Sequence, residues 1–351
     1  MTIEPPLPAP KTVPRAALIA GPTASGKSAL AVALALALKD AGQDAIIINA
    51  DASQVYADLA ILSARPTNEE MAGIPHRLFG HIDGADDYSA ARWAAEARAE
   101  IIAAHAGDAL PIIVGGTGLY IRTLLHGIAP VPAIDETIRA AIRALPVREA
   151  YRRLRSADPH AAATLKPLDA ARIARALEVV TSTGTPLHVW QEQREGGMGD
   201  ALALSPAILL PPREWLRERC DIRLAAMFSG GAAEEVAALL TRNLDPDMPV
   251  MRAIGVRQLA ATLALQHDRA PAQAGALAGG HNSSGQGSCL RRSTAEEALA
   301  LAQAATRQYA KRQYTWFRHQ LPEEWPRYEE SLNHKIIDDL AIKLRQSLLT
   351  A

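Results

Sequence analysis

The sequence is short of most features that mark secreted, membrane or metal-scaffold proteins. Its 351 residues include two cysteines, Cys220 and Cys289. They are too few and too far apart for a disulfide framework or a four-ligand zinc site, and a reducing compartment fits best. Aromatic residues make up only 4% and much of the 48% hydrophobic content is alanine, so helices packed through small side chains should dominate. No run of ~18 residues is apolar and uncharged enough to span a bilayer. Residues 1–14 are proline-rich and lack the apolar centre of a signal peptide, which predicts a flexible tail over 1–15 of a cytoplasmic protein. Net charge is also missing: 37 Lys and Arg stand against 38 Asp and Glu, leaving −1. Any basic surface for nucleic acid must therefore be local. There is no internal repeat.

What is present begins with an apolar run at 16–20, a glycine-rich loop, and an Ala/Leu run over 28–39 with no helix breaker. That is a strand, loop and helix unit. The loop, Gly21-Pro22-Thr23-Ala24-Ser25-Gly26-Lys27-Ser28, has the G-x-x-x-x-G-K-S spacing of a P-loop. In such a loop backbone N–H groups converge on phosphate oxygens, the helix N-terminus adds a favourable dipole, the lysine contacts phosphate and the serine hydroxyl contacts Mg²⁺. These roles fall to Gly21, Gly26, Lys27 and Ser28, and Ser28 is the expected metal contact.

Further strands are expected at 44–50, with Ile46-Ile47-Ile48, at 111–114, and at 207–210. Strands alternating with helices imply a parallel sheet. From 133 to 205 the pattern becomes helical, with segments at 136–145, 148–156 and 170–181. The chain therefore reads as α/β: a P-loop kinase-like parallel sheet flanked by helices, with an inserted all-helical domain. Its core runs over 16–132 and 206–325, with a basic helix at 303–319. The glycine-rich, polar stretch 267–293 is expected as a mobile surface loop, and 326–351 as a C-terminal tail.

One part of an ordinary P-loop NTPase is missing. Ile112-Ile113-Val114 runs into Gly115-Gly116-Thr117-Gly118 and not into the aspartate that usually organises Mg²⁺. The best alternative acid is Asp51, expected at the end of a strand beside the P-loop strand, where it would serve as a Mg²⁺ ligand or a general base; a helix cap is the plainer role. Thr117, on the second glycine-rich loop, could donate to a phosphate or leaving-group oxygen.

Taken together, the segments resemble the tRNA dimethylallyltransferases, also called tRNA isopentenyltransferases. The likeness rests on the P-loop, Asn49-Ala50-Asp51-Ala52-Ser53-Gln54, Ser63-Ala64-Arg65-Pro66, Pro75-His76-Arg77-Leu78, Tyr88-Ser89-Ala90 and Gly115-Gly116-Thr117-Gly118. It continues through Arg172-Ile173-Ala174-Arg175, Ala253-Ile254-Gly255-Val256-Arg257-Gln258 and Ala305-Thr306-Arg307-Gln308-Tyr309-Ala310-Lys311-Arg312-Gln313. The resemblance implies transfer of a dimethylallyl group from dimethylallyl diphosphate to N6 of adenosine 37, just 3′ of the anticodon, with release of diphosphate and Mg²⁺ as cofactor. On that reading the P-loop binds diphosphate, Asp51 is the base, Thr117 bonds the bridging oxygen, and Lys27, Ser28, Thr23 and Arg257 offset the growing charge.

Expected tRNA contacts are Asp51, Ala52, Ser53, Gln54, Arg172, Arg175, Arg252, Arg257, Arg307, Lys311 and Arg312, in a protein expected to be monomeric. Five positions depart from the family pattern: Ala52 for the usual Ser, Ser63 and Arg65 in a Thr-Ala-Lys-Pro segment, Val256 for an aromatic, and Leu168 for Asn. The rivals are a small-molecule or nucleoside kinase using the same loop for ATP, an adenylate isopentenyltransferase, and an RNA-binding protein without activity.

Overall fold

The computed structural model describes residues 13–267 and 284–350. Of the expected tail over 1–15, residues 1–12 lie outside the described residues and Arg15 already opens a strand; of the expected loop over 267–293, residues 268–283 lie outside them, while 284–293 are not loop but the first turns of the long helix Ser284–His319. Two compact units are formed, Met1–Ile121 with Ala201–Ala351, and Arg122–Asp200.

The larger unit is built on a six-stranded, all-parallel sheet of order β3-β2-β4-β1-β5-β6. Its strands are β1 (Arg15–Ala20), β2 (Ala45–Asn49), β3 (His76–Arg77), β4 (Leu110–Gly115), β5 (Ala203–Leu209) and β6 (Arg327–Tyr328). Ile112 of β4 faces Ala17 of β1 on one side and Ile47 of β2 on the other. The sequence reading placed Asp51 on a strand adjacent to the P-loop strand; in the structure β4 lies between them. Every residue of β4 is buried, as a central strand requires when it has neighbours on both edges and helices on both faces.

Helix α1 (Lys27–Asp40) follows the first glycine loop and buries Leu30, Ala31, Leu34, Ala35 and Leu38, the i, i+4 stripe of an amphipathic helix. Helix α2 (Ala90–Ala106) starts at Ser89, whose side chain accepts the Arg92 N–H, satisfying one of the helix's orphan donors. It carries the fully buried Trp93, whose indole N–H donates to the Asn49 carbonyl at 2.8 Å. The end of β2, and with it Asp51, is thereby held against the helix layer.

The expected tail at 326–351 is instead part of this core. Arg327 and Tyr328 pair with Ile208 and Leu209 of β5. The C-terminal helix His334–Thr350 buries Leu340, Ala341, Leu344 and Leu348 in the same cluster as Leu30 and Leu34 of α1. The cause is a hydrophobic stripe at 340, 344 and 348, which must be covered. Asn333 accepts the Ile336 N–H and starts the helix.

The smaller unit is helical: α3 (Gly118–His126) enters it, followed by α4 (Glu136–Arg143), α5 (Val147–Ala157), α6 (Pro159–Thr164), α7 (Ala170–Thr183) and α8 (Leu187–Glu192). The expected insertion was 133–205. Asp135, Asp158 and Asp169 cap three of these helices by accepting backbone N–H bonds, and Ile142, Leu154, Ile173 and Leu177 form its core.

Candidate active site

In an open parallel sheet, ligands bind beyond the carboxyl ends of the strands. Here the loops after β1, β2 and β4 meet at that edge. Helix α9 (Arg213–Ser229) and the long helix Ser284–His319 help wall a cavity of about 560 Å³. Thr23, Ala24, Lys27 and Ser28 line it from the first loop, Asp51, Ala52, Ser53 and Gln54 from the second, and Gly115 and Thr117 from the third. Gly21, Pro22, Ser25 and Gly26 form the turn behind them. Gly26 has φ +91°, a backbone region that L side chains occupy only with strain. At Gly115 a Cβ would lie 2.1 Å from the Ala50 carbonyl oxygen, so the close approach of β4 to the β2 loop requires glycine there.

Asp51 is fixed by its neighbours. Its backbone N–H donates to Asn49 Oδ1 at 2.8 Å, while Asn49 Nδ2 donates to the carbonyls of Asp51 and Leu78. Its Oδ1 accepts from the Ser53 N–H at 3.0 Å and the Ser53 hydroxyl at 2.7 Å. Oδ2 has no hydrogen bond among the described residues, so one oxygen is anchored and the other is available. Thr117 is held similarly: its N–H donates to the Ala50 carbonyl and its Oγ1 accepts the Ala52 N–H at 2.9 Å. Residue 52 enters this contact only through its backbone, so the change from the usual Ser leaves it intact.

Of the cations that line the cavity with this acid, Lys27 and Arg223 are the desolvated ones. Lys27 is buried, its ammonium donating to the Pro22 carbonyl at 3.1 Å. Burial pulls its pKa down to about 8, against the opposing pull of the Asp51 carboxylate and with a further lowering from Arg223. Burial likewise lowers the Arg223 pKa, with Asp51 opposing. Two desolvated cations facing a single carboxylate leave positive charge that a bound anion would relieve. The rest of the wall is aromatic and apolar, including Tyr56, Tyr120, Tyr309, Leu62, Leu224 and Met227. Burial raises the phenol pKa of Tyr120 and Tyr309, keeping both as neutral donors. Tyr120 stacks on Trp93 with centroids 4.5 Å apart and planes at 12°.

Residues 54–320 match the family model described as IPP transferase, and residues 14–82 that described as isopentenyl transferase. The chain belongs to the IPP transferase family. It is 62% identical over 334 residues to a tRNA dimethylallyltransferase of Sphingopyxis alaskensis, covering 95% of this chain and 99% of that one. Among solved structures it resembles a eukaryotic dimethylallyltransferase acting on tRNA (TM-score 0.67, 25% identity, 86% of this chain and 69% of that one). It also resembles the full-length tRNA isopentenylpyrophosphate transferase of Bacillus halodurans (TM-score 0.59, 27% identity, 96% and 99%).

Within this IPP transferase some expected site residues stand elsewhere. Arg257 is exposed in the first turn of the helix Val256–His267 and does not line the cavity, whereas Arg223 of α9 does. Arg252 and Arg312 are exposed and line the cavity, and Lys311 is exposed beside Arg312. Arg307 is committed to Asp221 of α9, with N–O distances of 2.7 and 2.8 Å. In the helical unit, Arg172 pairs with Asp169 at 3.6 Å, while Arg175 shares the buried Glu178 with Arg143. Arg143 of α4 thereby ties to Glu178 of α7, whereas the Arg175 pair lies within α7. Val256, in place of the usual aromatic, is buried, and Leu168 is exposed.

The sequence reading missed Arg223, Tyr120 and Tyr56 as cavity residues. Arg223 follows Leu216 and Cys220 and precedes Leu224, the buried stripe of α9. An arginine beside the apolar stripe of a helix is the signal that could have found it.

Proposed function

We propose that this enzyme transfers a dimethylallyl group from dimethylallyl diphosphate to N6 of adenosine 37 of tRNA, the activity for which its Sphingopyxis relative is named being refined here to one atom. The observation that carries this reading is the convergence of Asp51, Thr117, Lys27 and Arg223 on one cavity. In the reaction the adenine amine attacks the allylic carbon, the C–O bond to diphosphate breaks, and the amine proton passes to an acceptor. Asp51 Oδ2 is that acceptor, held in place through the bonds to Oδ1. Thr117 donates to the bridging oxygen. Lys27 and Arg223 stabilise the negative charge that grows on the departing diphosphate. The aromatic and apolar wall excludes water from the allylic carbon and seats the prenyl group. A neutral adenine amine is a weak nucleophile, so much of the rate comes from alignment of the two reactants.

The donor set fits Mg²⁺. No cluster of three His, Cys, Asp or Glu suited to a metal exists among the described residues, but Mg²⁺ keeps several waters and binds mainly to substrate phosphates plus one or two protein oxygens. Ser28, in the first turn of α1 and on the cavity wall, would supply such an oxygen. When bound, the cation would neutralise diphosphate charge.

For the acceptor, an adenosine in an anticodon loop must leave its stack to be reached. Arg252, Lys311 and Arg312 present positive charge around the cavity, suited to the flanking phosphates, and Arg172 and Arg175 carry charge on the helical unit. The test is incubation of the purified protein with labelled dimethylallyl diphosphate and an anticodon stem-loop, with AMP and with ATP in parallel arms. Label in the RNA at N6 of adenosine 37 supports the reading. Label in AMP alone, or ATP-dependent phosphorylation without prenylation, refutes it.

A further inference from the structure

Gln313 lies in the long helix with its side chain buried, and its carboxamide joins the two glycine-bearing loops. Its Oε1 accepts the Thr23 N–H at 2.8 Å, and its Nε2 donates to the Gly116 carbonyl at 2.7 Å. Thr23 belongs to the loop that presents Lys27 and Ser28, and Gly116 immediately precedes Thr117. A primary amide carries a donor and an acceptor side by side on one neutral, planar group. An ionised glutamate has no donor, and asparagine is one methylene shorter. The surroundings are shaped to this amide: a Cβ on Gly116 would fall 2.5 Å from Gln313 Nε2 and 3.3 Å from Asp51 Oδ2. The amide thus reaches the immediate surroundings of the open oxygen of Asp51. The next residues back, Arg312 and Lys311, are exposed, so one turn of helix carries solvent-exposed cations beside the buried amide.

We infer that Gln313 is a positioning residue for prenyl transfer, its amide holding the Thr23 loop and the Thr117 loop at one fixed separation. The inference rests on the function proposed above. If the cation of one loop and the hydroxyl of the other act on the same leaving diphosphate, their spacing matters to the rate: displacements of about 1 Å cost on the order of a hundredfold in such alignments. Gln313 acts through both loops and touches no reacting atom itself.

The test uses full-length Gln313→Met and Gln313→Glu proteins. Gln313→Met keeps the length and removes both bonds, leaving the Thr23 N–H and the Gly116 carbonyl without their partner. Its kcat should fall about tenfold or more, inorganic diphosphate should bind correspondingly more weakly, and KM for the stem-loop should stay near the wild-type value. Gln313→Glu should lose as much at pH 8, where its carboxylate faces the Gly116 carbonyl and Asp51 without a donor. When protonated, the acid regains a donor and an acceptor, and both Asp51 and burial raise the pH at which this happens. Asp51 is the charged group beside it, and Lys27 and Arg223 face the same cavity. Dividing each rate by the wild-type rate at the same pH cancels their own titration. The Gln313→Glu ratio should rise as pH falls from 8 to 5.5, and the Gln313→Met ratio should stay flat. A flat Gln313→Glu ratio, or a Gln313→Met protein that melts earlier yet keeps wild-type kcat and diphosphate affinity, overturns the inference. If the wild type prenylates no RNA, the functional reading fails on its own, and diphosphate affinity still tests the bridge between the loops.

Discussion

Replacing Asp51 by asparagine isolates proton acceptance from every other role of that side chain. The anchored oxygen takes bonds from the Ser53 N–H at 3.0 Å and the Ser53 hydroxyl at 2.7 Å. An asparagine carbonyl oxygen can accept both. The Asn49 bonds that shape the turn use only the backbone of Asp51, so the fold of the loop is preserved. What changes is the open position, where a carboxylate oxygen becomes an NH₂ group that cannot take a proton and opposes the amine of the adenine. A positioned general base contributes about 10²- to 10⁴-fold, so kcat should fall by that factor, about 3 to 5 kcal/mol in the barrier.

A second consequence has to be kept separate. The Asp51 carboxylate supports the charge on Lys27, whose pKa burial has lowered to about 8; without it the Lys27 pKa falls further. Donor binding would then weaken at alkaline pH for a reason unrelated to the base. Assays at pH 6.5 to 7 with saturating donor keep Lys27 charged, and the fall then appears in kcat. Single-turnover transfer of label into a stem-loop reads the chemical step, while fluorescence anisotropy of the same RNA should show affinity near wild type. Turnover within about threefold of wild type would refute the base assignment, and loss of RNA affinity in parallel with rate would recast Asp51 as a binding group.

Three further outcomes are expected. Arg223→Gln should cost about 10²- to 10³-fold in kcat, the scale of removing one stabilising donor, while Arg257→Gln stays within about threefold; steady-state kinetics on the pair tests the cavity geometry against the family-based assignment. Inorganic diphosphate affinity, measured by calorimetry, should decline as pH rises from 7 through about 8 toward 9, because Lys27 is charged below its lowered pKa and neutral above it; in Lys27→Met that part of the decline should vanish. A chain ending at Gln320 should lose its cooperative thermal transition or melt well below the full chain, since it uncovers the α1 face under Leu340, Leu344 and Leu348, whereas a true tail would leave the melt unchanged.

The sequence disclosed the strands whose apolar runs are long enough to be buried on both faces, β1, β2, β4 and β5, and the two glycine loops that interrupt them. It did not disclose β3 or β6, because a two-residue edge strand has no periodicity to detect. The C-terminal helix was legible in principle through Leu340, Leu344 and Leu348, but its polar surroundings and terminal place favoured a tail. Strand order was misjudged for a related reason: consecutive strands are neighbours more often than not, and nothing local in Ala45–Asn49 tells it to leave room for β4.

The site divides along the same physical line. The sequence brings Lys27, Asp51 and Thr117 to one cavity because each lies in the segment that follows a strand, in a short motif whose glycines and polar residues have local causes. Arg223 comes from a helix distant in sequence, and its placement depends on how α9 packs beside the 21–28 loop, where Arg219 donates to the Ala24 carbonyl. Arg257 illustrates the converse: its place in a family motif suggested a phosphate contact, yet its exposed position in the first turn of the helix Val256–His267 keeps it off the cavity wall. Motif spacing therefore locates the acid and the loop that would hold the leaving group, whereas the charge that would stabilise departure is assembled by tertiary packing. Arg223→Gln set beside Arg257→Gln separates these contributions directly, since each removes one positive charge and the two differ only in where the cation is lost.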